Sequence, residues 1–291
     1  MPTLTDTVLP TVKAGPTGFG AEITGLDISR PLTAEVLAAV KKAWADHSVV
    51  WFPDQPLTHD ELEAFTLQFG DFGWDPYVKA MEGRPHILEV RRDAEEKASP
   101  FGGAWHSYWS FQENPPAATL LHAKVVPPMG GDTLYSDGYA AWEALDSDMQ
   151  ARLKGLKAIH SAGRPYGANG LYANESGGYR AMTILYSSEA DKIWTHPVAR
   201  VHPESGRTAL FINPIYTVGF AGLPKAESDA LLNKLFGHML EQRFIYRHKW
   251  APNMLTMWDN RCALHCATGG YDGHERVMHR TTVAGEIPVA A

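Results

Sequence analysis

The sequence predicts a mainly β fold with flanking helices, a two-sheet sandwich or jelly roll. Short β-rich runs bounded by turn residues recur along the whole chain. Capped amphipathic helices are few and lie between those runs. No internal repeat, low-complexity tract or Pro/Gly/Ser linker divides the chain, so residues 1–291 are expected to form one domain.

Residues 19–27 alternate small or apolar with polar side chains and read as short strands joined by a turn. Thr33 offers an N-cap to the amphipathic AEVLAAVKKAWADH, and SVVWF at 48–52 reads as a compact buried strand. Thr58 and Glu61 form a capping box for a helix ending near Gly70. From Pro116 to Tyr135 the pattern is strand, turn, strand, broken at PPMGG, and a helix is predicted from about Gly138 to Leu153. Residues 161–195 are rich in Gly, Asn, Ser and Tyr without periodicity and read as a long loop or lid. RTALFINPIY reads as a strand pair and PKAESDALLNKLFGHMLEQ as a helix. FIYRHKW, MLTMWDN and RVMHRTTVAGE read as three further β runs.

Composition excludes several function classes. A net charge of −7 argues against nucleic acid as a partner, because phosphate binding needs a basic surface. MPTLTDTVLPTVKAG carries no apolar core behind a basic start, and no run approaches the roughly 20 apolar residues of a membrane span. Cys262 and Cys266 are the only cysteines, which excludes a disulfide framework. A cytoplasmic protein with no membrane association is expected.

Three segments concentrate chemistry. In WHSYWSF, a strand would project His106 and Tyr108 to one face, since side chains alternate with period two. WDNRCALHCATGG holds a second isolated histidine, His265, before a glycine-rich turn. On a strand, Arg276 and Arg280 would share a face about 13 Å apart, placed to hold two separate anions. Each has a plainer reading. A lone histidine among 13 is more often structural than a ligand, and two strand arginines are more often salt-bridge partners. Cys262, His265 and Cys266 would share a helical face and suggest zinc, but no further cysteine completes a thiolate site. Glu113 lies seven residues beyond His106, an odd separation that faces it away on an uninterrupted strand.

Taken in order, GAEITGLDIS, WHSYWSF, PPAATLLHAKVVPPMGGDTLY and WDNRCALHCATGGYDGHERVMHRTT resemble the iron(II)- and 2-oxoglutarate-dependent dioxygenases of the taurine and 2,4-dichlorophenoxyacetate dioxygenase group. The resemblance covers nearly the whole chain. It implies a double-stranded β-helix, a single dioxygenase-like domain over 1–291 with a lid near 161–195, and the cofactor set Fe(II), 2-oxoglutarate as co-substrate and O2. By it, His106 and His265 are the imidazole ligands of a facial triad that leaves positions open for co-substrate and oxygen. Thr133 and Arg276 hold the distal carboxylate of 2-oxoglutarate, and Arg280 faces a small anionic substrate. The family's taurine contacts fall on Asp75 and Val78, which makes taurine a poor fit. Lys79 with Arg280 suggests an aryloxyalkanoate, a sulfonate or a sulfate ester instead. Relatives of this kind are homo-oligomers, dimers or tetramers.

The departure is Tyr108, which stands where the family has its ligand aspartate. Three readings stay open: Tyr108 as a third, phenolate metal ligand and hence a catalytic residue; Tyr108 as a bystander, with solvent or an anion completing the metal; or a site weakened or closed by the tyrosine. A competing function of another class is a non-catalytic protein that keeps the Thr133–Arg276 anion site.

Overall fold

The computed structural model describes residues 9–173 and 178–291. Its largest sheet has seven strands in the order β1 (Thr11–Ala14), β2 (Ala21–Thr24), β3 (Val49–Phe52), β13 (Leu255–Asp259), β5 (Ala118–Val125), β15 (Arg276–Val283) and β4 (Leu88–Arg92). A three-stranded sheet of β12 (Ile245–His248), β6 (Thr133–Asp137) and β14 (Ala263–Ala267) packs over it. Two further three-stranded sheets complete the β framework. One is β11 (Thr217–Phe220), β7 (Lys157–Ser161) and β8 (Ile193–Pro197); the other is β10 (Thr208–Leu210), β9 (Ala199–Val201) and β16 (Val289–Ala290). Among the described strands only the β2–β3 pair is parallel. This is the β-rich jelly-roll arrangement that the sequence predicts.

The large sheet is buried on both faces, which explains why its central strands read as nearly unbroken apolar runs. In β5, Leu120 packs outward against helices, while Leu121 and Ala123 point inward. In β13, Leu255 and Met257 face out and Trp258 faces in. The outer face is covered by α1 (Ala34–His47) and α2 (His59–Leu67) through Val40, Trp44, Leu62 and Phe65. Each such fully buried side chain contributes roughly 1.5–3 kcal/mol of transfer free energy. Both helices start where the sequence places them. Thr33 accepts from the Val36 amide, and Thr58 and Glu61 close a reciprocal capping box. Inward, Tyr135 of β6 meets Trp258 of β13 edge-on at 5.5 Å, joining the two sheets. A second apolar core forms where α6 (Lys225–Met239) lays Leu231, Leu235 and Met239 against Phe220 and Leu264. No helix among the described residues is long and apolar enough to cross a membrane.

Five expectations change. Residues 19–27 hold one strand, β2, which pairs with β1 upstream rather than with a second strand inside the segment. The helix expected over 138–153 is two helices, α3 (Gly138–Glu143) and α4 (Ser147–Lys154). Asp146 accepts from the Met149 amide and so caps a new helix rather than extending the old one. RTALFINPIY supplies only β10; Asn213 then takes the Tyr216 amide in a turn. The loop expected over 161–195 contains a one-turn helix, α5 (Gly163–Tyr166), a 3₁₀ turn at Ser188–Asp191 and the start of β8, while its residues 174–177 lie outside those described. WHSYWSF is not a strand. Only His106 pairs, in an isolated bridge with His265, and the chain turns directly afterwards, with Trp109 at φ 46°. The Ser107 hydroxyl fixes that turn by donating to the Asn260 carbonyl at 2.5 Å.

Candidate active site

The cavity between the two sheets is built by alternation. Inward positions of β15 carry Arg276, Met278 and Arg280, while Thr281 turns outward and bonds Thr66 of α2 at 2.7 Å. Opposite them, β6 begins at Thr133, which pairs with Ala267 of β14, and His265 pairs with Tyr135. His106, His265, Thr133, Arg276 and Arg280 therefore line one cavity, together with Phe101, Leu121 and Trp258. The tight turn before Thr133 needs its glycines. Gly130 and Gly131 both sit at φ 68°, and a Cβ on Gly130 would lie 2.4 Å from the Gly270 carbonyl oxygen.

The two histidines are joined through their backbones, with N–O distances of 3.0 and 2.8 Å, and their rings stand 4.1 Å apart. His106 donates Nδ1–H to the Ala104 carbonyl at 2.7 Å, so its Nε2 keeps a free lone pair. Burial lowers the His106 pKa to about 4, and it also lowers that of His265, with His106 and Arg280 adding to the effect. Both imidazoles are thus neutral at pH 7, the state in which imidazole binds a metal. This half of the donor set fits a divalent ion. The other half is not supplied by a carboxylate, because no group of three His, Cys, Asp or Glu side chains among the described residues is placed to hold a metal.

The cavity is strongly cationic. Arg276 and Arg280 are each 6% exposed, and no aspartate or glutamate is among the residues lining the space. Among the described residues, Arg276 Nε and Arg280 Nε and Nη2 have no hydrogen-bond partner. Buried guanidinium nitrogens without partners are costly unless a ligand satisfies them. Thr133 Oγ1 accepts from Trp250 Nε1 at 3.0 Å, which leaves the threonine hydroxyl proton free to donate into the cavity.

Tyr108 is 1% exposed and turns towards the 72–78 loop, where its hydroxyl donates to Asp75 Oδ1. Trp109 Nε1 reaches the same oxygen at 2.5 Å. The Arg280 guanidinium lies over the Tyr108 ring, 4.3 Å from its centroid. Burial raises the Tyr108 pKa well above its ordinary value; Arg280 opposes this and Asp75 adds to it. A neutral phenol is favoured.

Lys79 is a correction. Its side chain is exposed and is not part of the cavity lining, because Val78 bridges Ile184 and is buried, which turns the next residue outward. Glu113 is likewise exposed and lines a different surface cleft. His160, His196, His202 and His279 are buried structural residues, and Trp109 and Phe111 are core. Two contacts at the site escape sequence reasoning. Trp250 orients Thr133 from 117 residues away, and Asp75 meets Tyr108 from 33 residues away. No local pattern announces either contact.

The fold is thus a β-sandwich of the jelly-roll kind whose cavity encloses two paired, neutral imidazoles and two buried guanidiniums. Residues 11–282 match the model of the taurine catabolism dioxygenase TauD, TfdA family, and the chain belongs to that family. It is 31% identical to an (S)-phenoxypropionate/alpha-ketoglutarate-dioxygenase of Sphingobium herbicidovorans over 92% of each chain. It is 34% identical to an alpha-ketoglutarate-dependent 2,4-dichlorophenoxyacetate dioxygenase of Cupriavidus pinatubonensis, over 93% of this chain and 96% of that one. The crystal structure of a taurine dioxygenase from Burkholderia xenovorans superposes with a TM-score of 0.79 at 30% identity, covering 97% of this chain and 91% of that chain.

Proposed function

We propose that this protein is an iron(II)- and 2-oxoglutarate-dependent oxygenase that hydroxylates a small anionic organic molecule, with an aryloxyalkanoate as the best-fitting class. One observation carries the reading: two buried guanidiniums, without acidic partners among the described residues, share a cavity with two neutral imidazoles. His106 and His265 hold the metal through their free ring nitrogens. When bound there, iron(II) supplies the oxygen activation that couples loss of CO2 from 2-oxoglutarate to hydroxylation of the substrate. Arg276 and the Thr133 hydroxyl receive the distal carboxylate of 2-oxoglutarate. Arg280 binds the substrate's anion, its guanidinium lying beside the aromatic faces of Phe101 and Tyr108. Relatives named for phenoxypropionate and 2,4-dichlorophenoxyacetate support that class. The enzyme works in the cytoplasm as a homo-oligomer of one-domain chains, with the 161–195 segment as lid.

A second reading, a protein that binds 2-oxoglutarate without turning it over, draws on the absence of a third acidic ligand among the described residues. Succinate release from 2-oxoglutarate under air with Fe(II) separates the two. Release that rises on adding a phenoxyacetate supports the oxygenase. Saturable 2-oxoglutarate binding with no succinate, whether a phenoxyacetate, a sulfonate or a sulfate ester is present, leaves the binding protein.

A further inference from the structure

We infer that Asp75 is a positioning residue that holds the Tyr108 phenol away from a metal at His106 and His265, so that the centre keeps two protein ligands. The inference rests on the metal reading above. A phenol has one proton to donate, and Tyr108 gives it to Asp75 Oδ1, a charge-assisted bond stronger than one to a neutral acceptor. The carboxylate is itself anchored: Trp109 Nε1 donates to Oδ1 at 2.5 Å and the Thr282 hydroxyl to Oδ2 at 3.4 Å. Two elements distant in sequence, the 107–110 turn and β15, thereby fix one side chain of a third.

The backbone works in the same direction. Trp109 at φ 46° ends the extended path directly after Tyr108, and that tyrosine leaves for the 72–78 loop instead of continuing beside His106. The Arg280 guanidinium lies over the ring at 4.3 Å, and the fully buried Trp109 packs beside it at 4.6 Å. The ring nearest His106 is His265, at 4.1 Å, followed by Tyr216 at 6.1 Å. The negative charge absent from position 108 thus reappears on Asp75, behind the phenol, where it serves Tyr108 rather than the metal. Coordination positions that a protein carboxylate would fill are left to the co-substrate and to solvent or a small anion.

Visible spectra of the protein loaded with Fe(III), together with Co(II) titrations, test this. Wild-type protein should show no phenolate-to-iron band, and Tyr108→Phe should hold Co(II) within about twofold of wild type, whereas loss of even an outer-shell partner of a metal ligand typically costs about tenfold or more. Asp75→Ala frees the phenol and should gain the band. A band in wild type that vanishes in Tyr108→Phe, or a tenfold weaker Co(II) affinity in that variant, overturns the inference. So does Asp75→Ala that binds Fe(III) without the band; if Asp75→Ala does not fold, the Tyr108→Phe measurements decide alone. Co(II) affinity unaffected by His265→Ala would instead overturn the metal reading itself, and this inference with it.

Discussion

Two of the buried groups of charge among the described residues are built on opposite principles. At one, Asp259, Arg261 and His202, each no more than 3% exposed, satisfy one another. Arg261 Nη2 and Nε meet the two Asp259 oxygens at 2.6 and 2.9 Å, His202 Nε2 meets Asp259 at 2.9 Å, and Glu204 takes the remaining Arg261 nitrogen. Burial by itself would raise the Asp259 pKa, but Arg261 and His202 outweigh it and hold the carboxyl well below its usual range. At the other, Arg276 and Arg280 are buried and have no acidic partner among the described residues. One cluster is neutralised within the fold and the other is not. The price is stability, which substitution at each cluster should expose.

The largest effect is expected at the closed cluster. Asp259→Ala strips the buried Arg261 Nε and Nη2 of their carboxylate and leaves only Glu204 and Glu286 on Nη1, at a cost of about 3–5 kcal/mol, read as a lowered midpoint in urea unfolding; a midpoint close to wild type would mean that water replaces the carboxylate. At the open cluster the loss should appear in binding instead. Arg276→Ala should weaken 2-oxoglutarate at least about 30-fold by calorimetry, while the ligand-free variant unfolds at or above the wild-type midpoint. A destabilised Arg276→Ala protein would erase the distinction between the clusters. Arg280→Ala should lower affinity for an aryloxyalkanoate about tenfold and shift that for 2-oxoglutarate much less; the reverse ranking would exchange the two roles.

The smallest effect concerns the buried histidines outside both clusters. Burial lowers the pKa of His122, His196 and His279 to about 4 and of His248 to about 3. With folded values below the unfolded one near 6.5, the unfolded chain takes up protons first as pH falls. Stability from these groups is full above pH 7 and is lost progressively towards pH 4. Between pH 7.5 and 6.5 the loss should be on the order of 1 kcal/mol in total, measurable as a lower Tm; a flat Tm over that range would mean that these histidines are charged in the folded protein.

What the chain's residues announced locally is what local chemistry controls. The caps at Thr33 and Thr58 act over three residues, and α1 and α2 start there. The apolar runs of β3, β5 and β13 declare strands because both faces are buried. Strands β1 and β4 passed unnoticed: TVKA is exposed along its length, and LEVRR gains its place by pairing with β15 rather than by composition. The helix over 138–153 split because Asp146 finds a capping amide that periodicity does not register.

The same division runs through the site. His106, His265, Thr133, Arg276 and Arg280 were legible because each lies in a motif resembling a family pattern, and one cavity gathers all five. Lys79 was not decidable from its neighbours, since its direction depends on a bridge between Val78 and a residue more than 100 positions away. Sequence by itself determined the family, the strand-rich architecture and the place of a tyrosine two residues after His106, because those follow from residue identity and short-range pattern. Only the tertiary structure decided where that tyrosine points. Its direction depends on a carboxylate brought in from 33 residues upstream and a guanidinium brought in from β15, and a hydrogen bond is decided by positions in space rather than by order along the chain.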